Sequence, residues 1–167
     1  MTKTKLLTAT FVALLFYAVA LRAPIASVGP LLLEISDNLK LNITQQGILT
    51  AIPVISFGVG AFASPAFAKR FGLDRALLIL CGALVISIAL RGWFDFVSLL
   101  IGTSVAGLAI AIANVLLPSV VRERFPDRIA LVTASYTTVL AVSASAAAAT
   151  AVPLSSLTGS WQMALFV

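Results

Sequence analysis

The amino-acid sequence predicts an all-α membrane protein, and three observations carry that prediction. Sixty per cent of the 167 residues are apolar and only 10% are charged, where soluble domains average about 25% charged residues. The apolar residues gather into runs of about 17 to 28, long enough to cross a bilayer that needs roughly 20. The 11 Lys and Arg residues sit in short clusters between those runs, as topology signals do and nucleic-acid-binding surfaces do not.

Five spans follow in order, over residues 6–33, 45–67, 76–92, 96–121 and 129–154. Lys3 and Lys5 ahead of the first span imitate a secretory signal, but its apolar run continues past Arg22, longer than a signal's apolar region of roughly 7 to 15 residues. Thr44 is placed to cap the second helix, and Phe125, Pro126 and Asp127 form a turn whose Asp suits the start of the fifth. A sixth span begins near Trp161, where the sequence has too few residues to cross. The expectation is a truncated six-helix bundle. Trp93 and Trp161 fall at span ends, as interfacial anchors do.

Lys3, Lys5, Lys69, Arg70, Arg75, Arg122, Arg124 and Arg128 fall on one side of the membrane, against Lys40 and Arg91 on the other. The excess of positive charge puts the N-terminus in the cytoplasm of a multi-pass inner-membrane protein. Small residues crowd around Gly58, Gly60, Ala61, Ala63 and Ser64 in the second span and from Ser143 to Thr150 in the fifth, which reads as close helix packing. The single cysteine, Cys81, reads as a buried small apolar residue.

The chemistry available is sparse. Every Asp and Glu falls toward one face or the other rather than within a span. No His or Cys cluster suits a metal, and no Gly-rich loop suits a phosphate. An enzyme, a cofactor and a nucleic-acid partner are not expected.

Arg22 is different. A guanidinium inside a span costs roughly 2.5 to 3.5 kcal/mol on insertion scales, so something should offset it. Pro24 can kink the helix beside it. Arg22 either faces a cavity, the preferred reading, or snorkels to the interface and pairs with Glu34 or Asp37. Asn114 in the fourth span and Tyr136, Thr137 and Thr138 in the fifth could form a polar patch. For Asn114 and Tyr136 a ligand contact and an interhelical hydrogen bond stand equal. Counted from the cytoplasmic side, Asn114 and Tyr136 lie about 10 Å in and Arg22 about 24 Å in, which strains any site using all three.

The segments "LRAPIASVGPLL", "GILTAIPVISFGVGAFASPAFAKRFGLDRAL" and "GLAIAIANVLLPSVVRERFPDR" resemble the cyanate permease-like branch of the major facilitator superfamily over nearly the whole chain. The resemblance implies twelve helices in two halves about a central cavity lined by the first and fourth helices of each half. It implies a secondary transporter of small solutes, of which cyanate and nitroimidazole-type compounds are the associated examples. Arg22 and Asn114 would belong to the cavity-lining helices.

The family's gating loop usually reads Gly-x-Leu-Ala-Asp-Arg-x-Gly-Arg-Arg. Here "PAFAKRFGLDRA" puts Lys69 where the Asp belongs, leaving Lys69, Arg70, Asp74 and Arg75 as the gating residues, with Asp74 as the substitute acid. The Gly-Pro-x-x-Gly-Gly pattern of drug/proton antiporters is absent from the fifth span.

The expectation is the N-terminal half of a transporter for a small anionic or polar solute such as cyanate, with Arg22, Asn114 and Tyr136 as substrate contacts. Its partners are the lipid bilayer, the solute, and either the missing C-terminal half or a second copy. A proton-coupled drug exporter and a non-transporting fragment are the alternatives.

Overall fold

The structure, a computed structural model, describes residues 3–91, 95–159 and 161. All regular structure among them is helical: α1 (Lys3–Ala26), α2 (Val28–Leu39), α3 (Ile43–Phe71), α4 (Leu73–Arg91), α5 (Phe96–Arg124), a 3-10 turn (Pro126–Arg128) and α6 (Ile129–Thr158). Among the described residues, five segments are long and apolar enough to cross a membrane: Leu7–Leu39, Ile43–Phe71, Leu73–Arg91, Phe96–Arg124 and Pro126–Thr158. The first span thus extends beyond Leu33 and is broken at Ser27, three residues after Pro24. Trp161 is described, whereas most of the sixth run and Trp93 lie outside the described residues.

Local chemistry fixes the helix ends. Asn42, not Thr44, caps α3: its side chain accepts from the Gln45 amide at 2.8 Å while its own amide donates to Gln45 Oε1 at 2.9 Å. This reciprocal pair satisfies two amides that a helix start leaves open. Gly72 separates α3 from α4 at φ 75°, where a side chain would be strained, and donates back to the Ala68 carbonyl at 2.8 Å. Asp127 falls in the 3-10 turn instead of capping α6, which starts without a side-chain cap at Arg128.

The helices form two groups. In one, α5 lies between α3 and α4; in the other, α6 lies along α1, and α1 joins the groups through α5. Lipid is as apolar as leucine, so burying Leu inside such a bundle gains little by itself, and close packing does the holding. Gly60 shows it: a Cβ there would lie 2.5 Å from Ala111 Cβ and 3.1 Å from the Leu108 carbonyl, so α3 meets α5 nearly backbone to backbone. Ser64 is buried on the same face.

Other small residues are not used in this way. Gly58, Ala61 and Ala63 are exposed, and of residues 143–150 in α6 only Ala147 is buried. Cys81 is exposed on the outside of the bundle, not buried. Trp161 is no interfacial anchor: at 2% exposure it packs into a cluster with Val28, Leu31, Ile35 and Leu99.

Candidate functional site

Most of the basic residues sit at one end of the bundle. Here Arg124, at the last turn of α5, donates to Asp74 at the start of α4 at 2.7 Å, with Glu123 at 3.9 Å. The predicted gating acid therefore binds α5, while Lys69, Arg70 and Arg75 remain exposed. Beside this pair a cavity of about 480 Å³ is lined by Leu7, Phe11, Arg124, Phe125, Arg128 and Val132. It is remote from Arg22.

Arg22 is exposed on α1, next in sequence to the fully buried Leu21, and has no hydrogen-bond or ion-pair partner among the described residues. It does not pair with Glu34 or Asp37. Its height is set by the contact of Phe11 with Phe125, rings 6.4 Å apart, because α1 and α5 run antiparallel. Arg22 lies eleven residues beyond Phe11 and Asn114 eleven before Phe125, so at 1.5 Å per residue both stand about 16 Å above that pair. The depth difference expected between them is thus an artefact of counting from unmatched span ends.

Tyr136 stands lower, seven residues or about 10 Å above the start of α6 at Ile129. It is 6% exposed and packed in the core cluster with Leu14, Val132 and Leu140. The hydroxyl of neighbouring Thr137 bonds its own helix, at 2.8 Å from the Thr133 carbonyl. The structure therefore brings Arg22 and Asn114 to one level and leaves Tyr136 nearer the basic end.

Two polar features escaped the sequence. Arg91, counted there only as a charge of the outer side at the end of the third span, is 1% exposed. Its Nη1 donates to the carbonyl of Pro24, at the break between α1 and α2. Glu34 does not flank the first span but lies within α2, half-buried, and both of its carboxylate oxygens contact the hydroxyl of buried Ser155, at 2.5 and 2.6 Å. That hydroxyl can donate one proton, so it is shared between the two acceptors.

Five apolar segments with few charges set among them are the build of a multi-pass membrane protein. The family described as "Sugar (and other) transporter" matches residues 11–167, and the chain belongs to this family of major facilitator transporters. It is 34% identical over 155 residues to the "Uncharacterized transporter YycB" of Bacillus subtilis (strain 168), covering 92% of this chain and 39% of that protein. It is 34% identical over 158 residues to the "2-nitroimidazole transporter" of Escherichia coli (strain K12), with the same coverage. The "Cyanate transport protein CynX" of Escherichia coli (strain K12) is 27% identical over 113 residues, 67% of this chain and 29% of that protein. The chain thus spans about two fifths of the length of the first two relatives. No solved structure matches it.

Proposed function

We propose that the chain is the N-terminal half of a secondary transporter for a small anionic or strongly polar solute, with cyanate as one example. Arg22 is the principal contact, Asn114 an adjacent one at the same height, and Tyr136 a residue nearer the basic end. The observation that carries this reading is the exposure of an unpartnered Arg22 deep in the bilayer. Toward lipid it would cost roughly 2.5 to 3.5 kcal/mol; toward a polar cavity between two halves it would not. The names of the relatives fit, since cyanate is an anion and a nitro group presents two acceptor oxygens. The Asp74–Arg124 pair, with Lys69, Arg70 and Arg75, forms the gate at the basic end, which faces the cytoplasm.

The test is made in the two-half transporter. Arg22→Gln removes a charged hydrogen bond worth about 1.5 to 3 kcal/mol, so affinity for an anionic solute falls roughly tenfold to hundredfold. Arg22→Lys restores only part of it, because the ammonium keeps the charge but loses the fork. Unchanged affinity in Arg22→Gln at normal membrane abundance ends this reading. Orientation is tested by reporter fusions, external near Asn38 and cytoplasmic near Phe125. The chain alone should give no saturable flux in liposomes unless it pairs with a second copy, because alternating access needs two halves.

One observation favours the second reading, proton coupling. Glu34 is a carboxylate inside a span, held by one hydroxyl. If it carries the proton, Glu34→Gln keeps solute binding but loses solute-driven proton flux.

A further inference from the structure

We infer that Arg91 forms a second, buried anion site: the Nε–Nη2 edge of its guanidinium takes a two-oxygen oxyanion such as a carboxylate. This goes beyond the Arg22 reading and does not depend on it. The guanidinium stays protonated in any protein environment, and a buried charge left alone is strongly unfavourable, so a counter-charge belongs beside it. The described residues do not supply one.

All six of its acidic residues are described. Glu34 is engaged with Ser155 and Asp74 with Arg124. Glu123 lies 3.9 Å from Arg124, and Asp37, Asp95 and Asp127 are exposed. None forms an ion pair with Arg91.

The geometry of the unpaired nitrogens specifies the ligand. Nη1 is taken by the Pro24 carbonyl, while Nε and Nη2 are buried without a partner. Those two N–H groups point the same way from one edge of the planar fork, the spacing that meets both oxygens of a carboxylate. A halide can offer that edge only one centre. The side chain reaches its place through a slot in α5, where a Cβ on Gly102 would lie 2.9 Å from Arg91 Cγ and 2.8 Å from the Ser87 carbonyl. Thr103, the next residue on α5, is also fully buried with its hydroxyl unpartnered.

Arg22 does not share this site. Residues 22 and 24 differ by about 200° around a helix, and in keeping with that Arg22 is exposed while Pro24 is buried.

The experiment uses the protein in phosphatidylcholine nanodiscs at constant ionic strength, titrated with sodium formate and separately with sodium chloride. Thermal stability and the 15N–1H signals of the arginine Nε groups are the readouts. Formate should raise the melting temperature saturably and move one Nε signal that is protected from solvent exchange, at concentrations at least tenfold below those chloride needs. The response should vanish in Arg91→Gln and persist in Arg22→Gln. No saturable formate response in the wild type overturns the inference, as does an equal response in Arg91→Gln. If Arg91→Gln does not fold, movement of the protected Nε signal in the wild type decides it alone. A formate response lost in Arg22→Gln but kept in Arg91→Gln overturns the Arg91 site while supporting the Arg22 reading.

Discussion

The two ends of the bundle handle charge in opposite ways. At the basic end, Arg124 and Asp74 form an ion pair whose side chains are 32% and 71% exposed. Toward the far end, Arg91 is sealed behind the break in the first span and Glu34 is held by a single buried hydroxyl. An exposed pair gains little, because water and salt screen it. A buried polar group gains or loses several times as much, because nothing replaces a missing partner. The lesson is that the conspicuous charges, those clustered in the loops, matter least to stability, and that single charges set among apolar residues matter most.

Substitutions can break this comparison. The largest effect should come from Gly102→Ala, since the added methyl meets both the Ser87 carbonyl and Arg91 Cγ under 3 Å. Overpacking of this kind costs about 1 to 3 kcal/mol, and here it also displaces the guanidinium. A melting temperature within a degree of the wild type would show that α4 and α5 are more loosely packed than described.

Next is Ser155→Ala. It strips the Glu34 carboxylate of its hydroxyl donor and should cost about 1 to 3 kcal/mol, recovered in large part by a second change, Glu34→Leu. A thermal or detergent-unfolding double-mutant cycle measures it, and simple additivity would mean the two side chains do not interact.

The smallest effect belongs to Asp74→Asn. Loss of this screened pair should shift stability by about 0.2 to 1 kcal/mol, shrinking further at high salt. A larger, salt-independent loss would erase the contrast between the two ends. If the pair serves the gate, Asp74→Asn should still change transport rate in the two-half protein while leaving stability nearly untouched.

Much of the architecture was readable in the sequence, for a physical reason. Lipid demands about 20 apolar residues per crossing, and each of the five runs stands out against polar punctuation. What the sequence hid was which face of each helix is packed. A helix in water betrays its buried face by alternation with polar residues; in lipid both faces are apolar and the alternation fades. So the sequence singled out Arg22, set inside a span, and passed over Arg91 at the end of one, yet Arg22 is exposed and Arg91 sealed. The bonds that separate them join residues 67 and 121 positions apart, Arg91 to Pro24 and Glu34 to Ser155. Capping lay nearer to hand: an Asn-x-x-Gln pattern from Asn42 to Gln45 was available and is the stronger signal than Thr44 alone.

The pairing of α1 with α6 has a consequence for how the protein is made. Helices emerge from the ribosome in chain order, so α1 enters the bilayer long before the helix it packs against most extensively exists. Until α4, α5 and then α6 are synthesised, the first segment must hold its place with few partners, with Arg22 in it and Arg91 still to come. The uncharged, mainly apolar run from Leu6 to Leu21, ahead of the first embedded charge, is what gives the nascent chain that foothold.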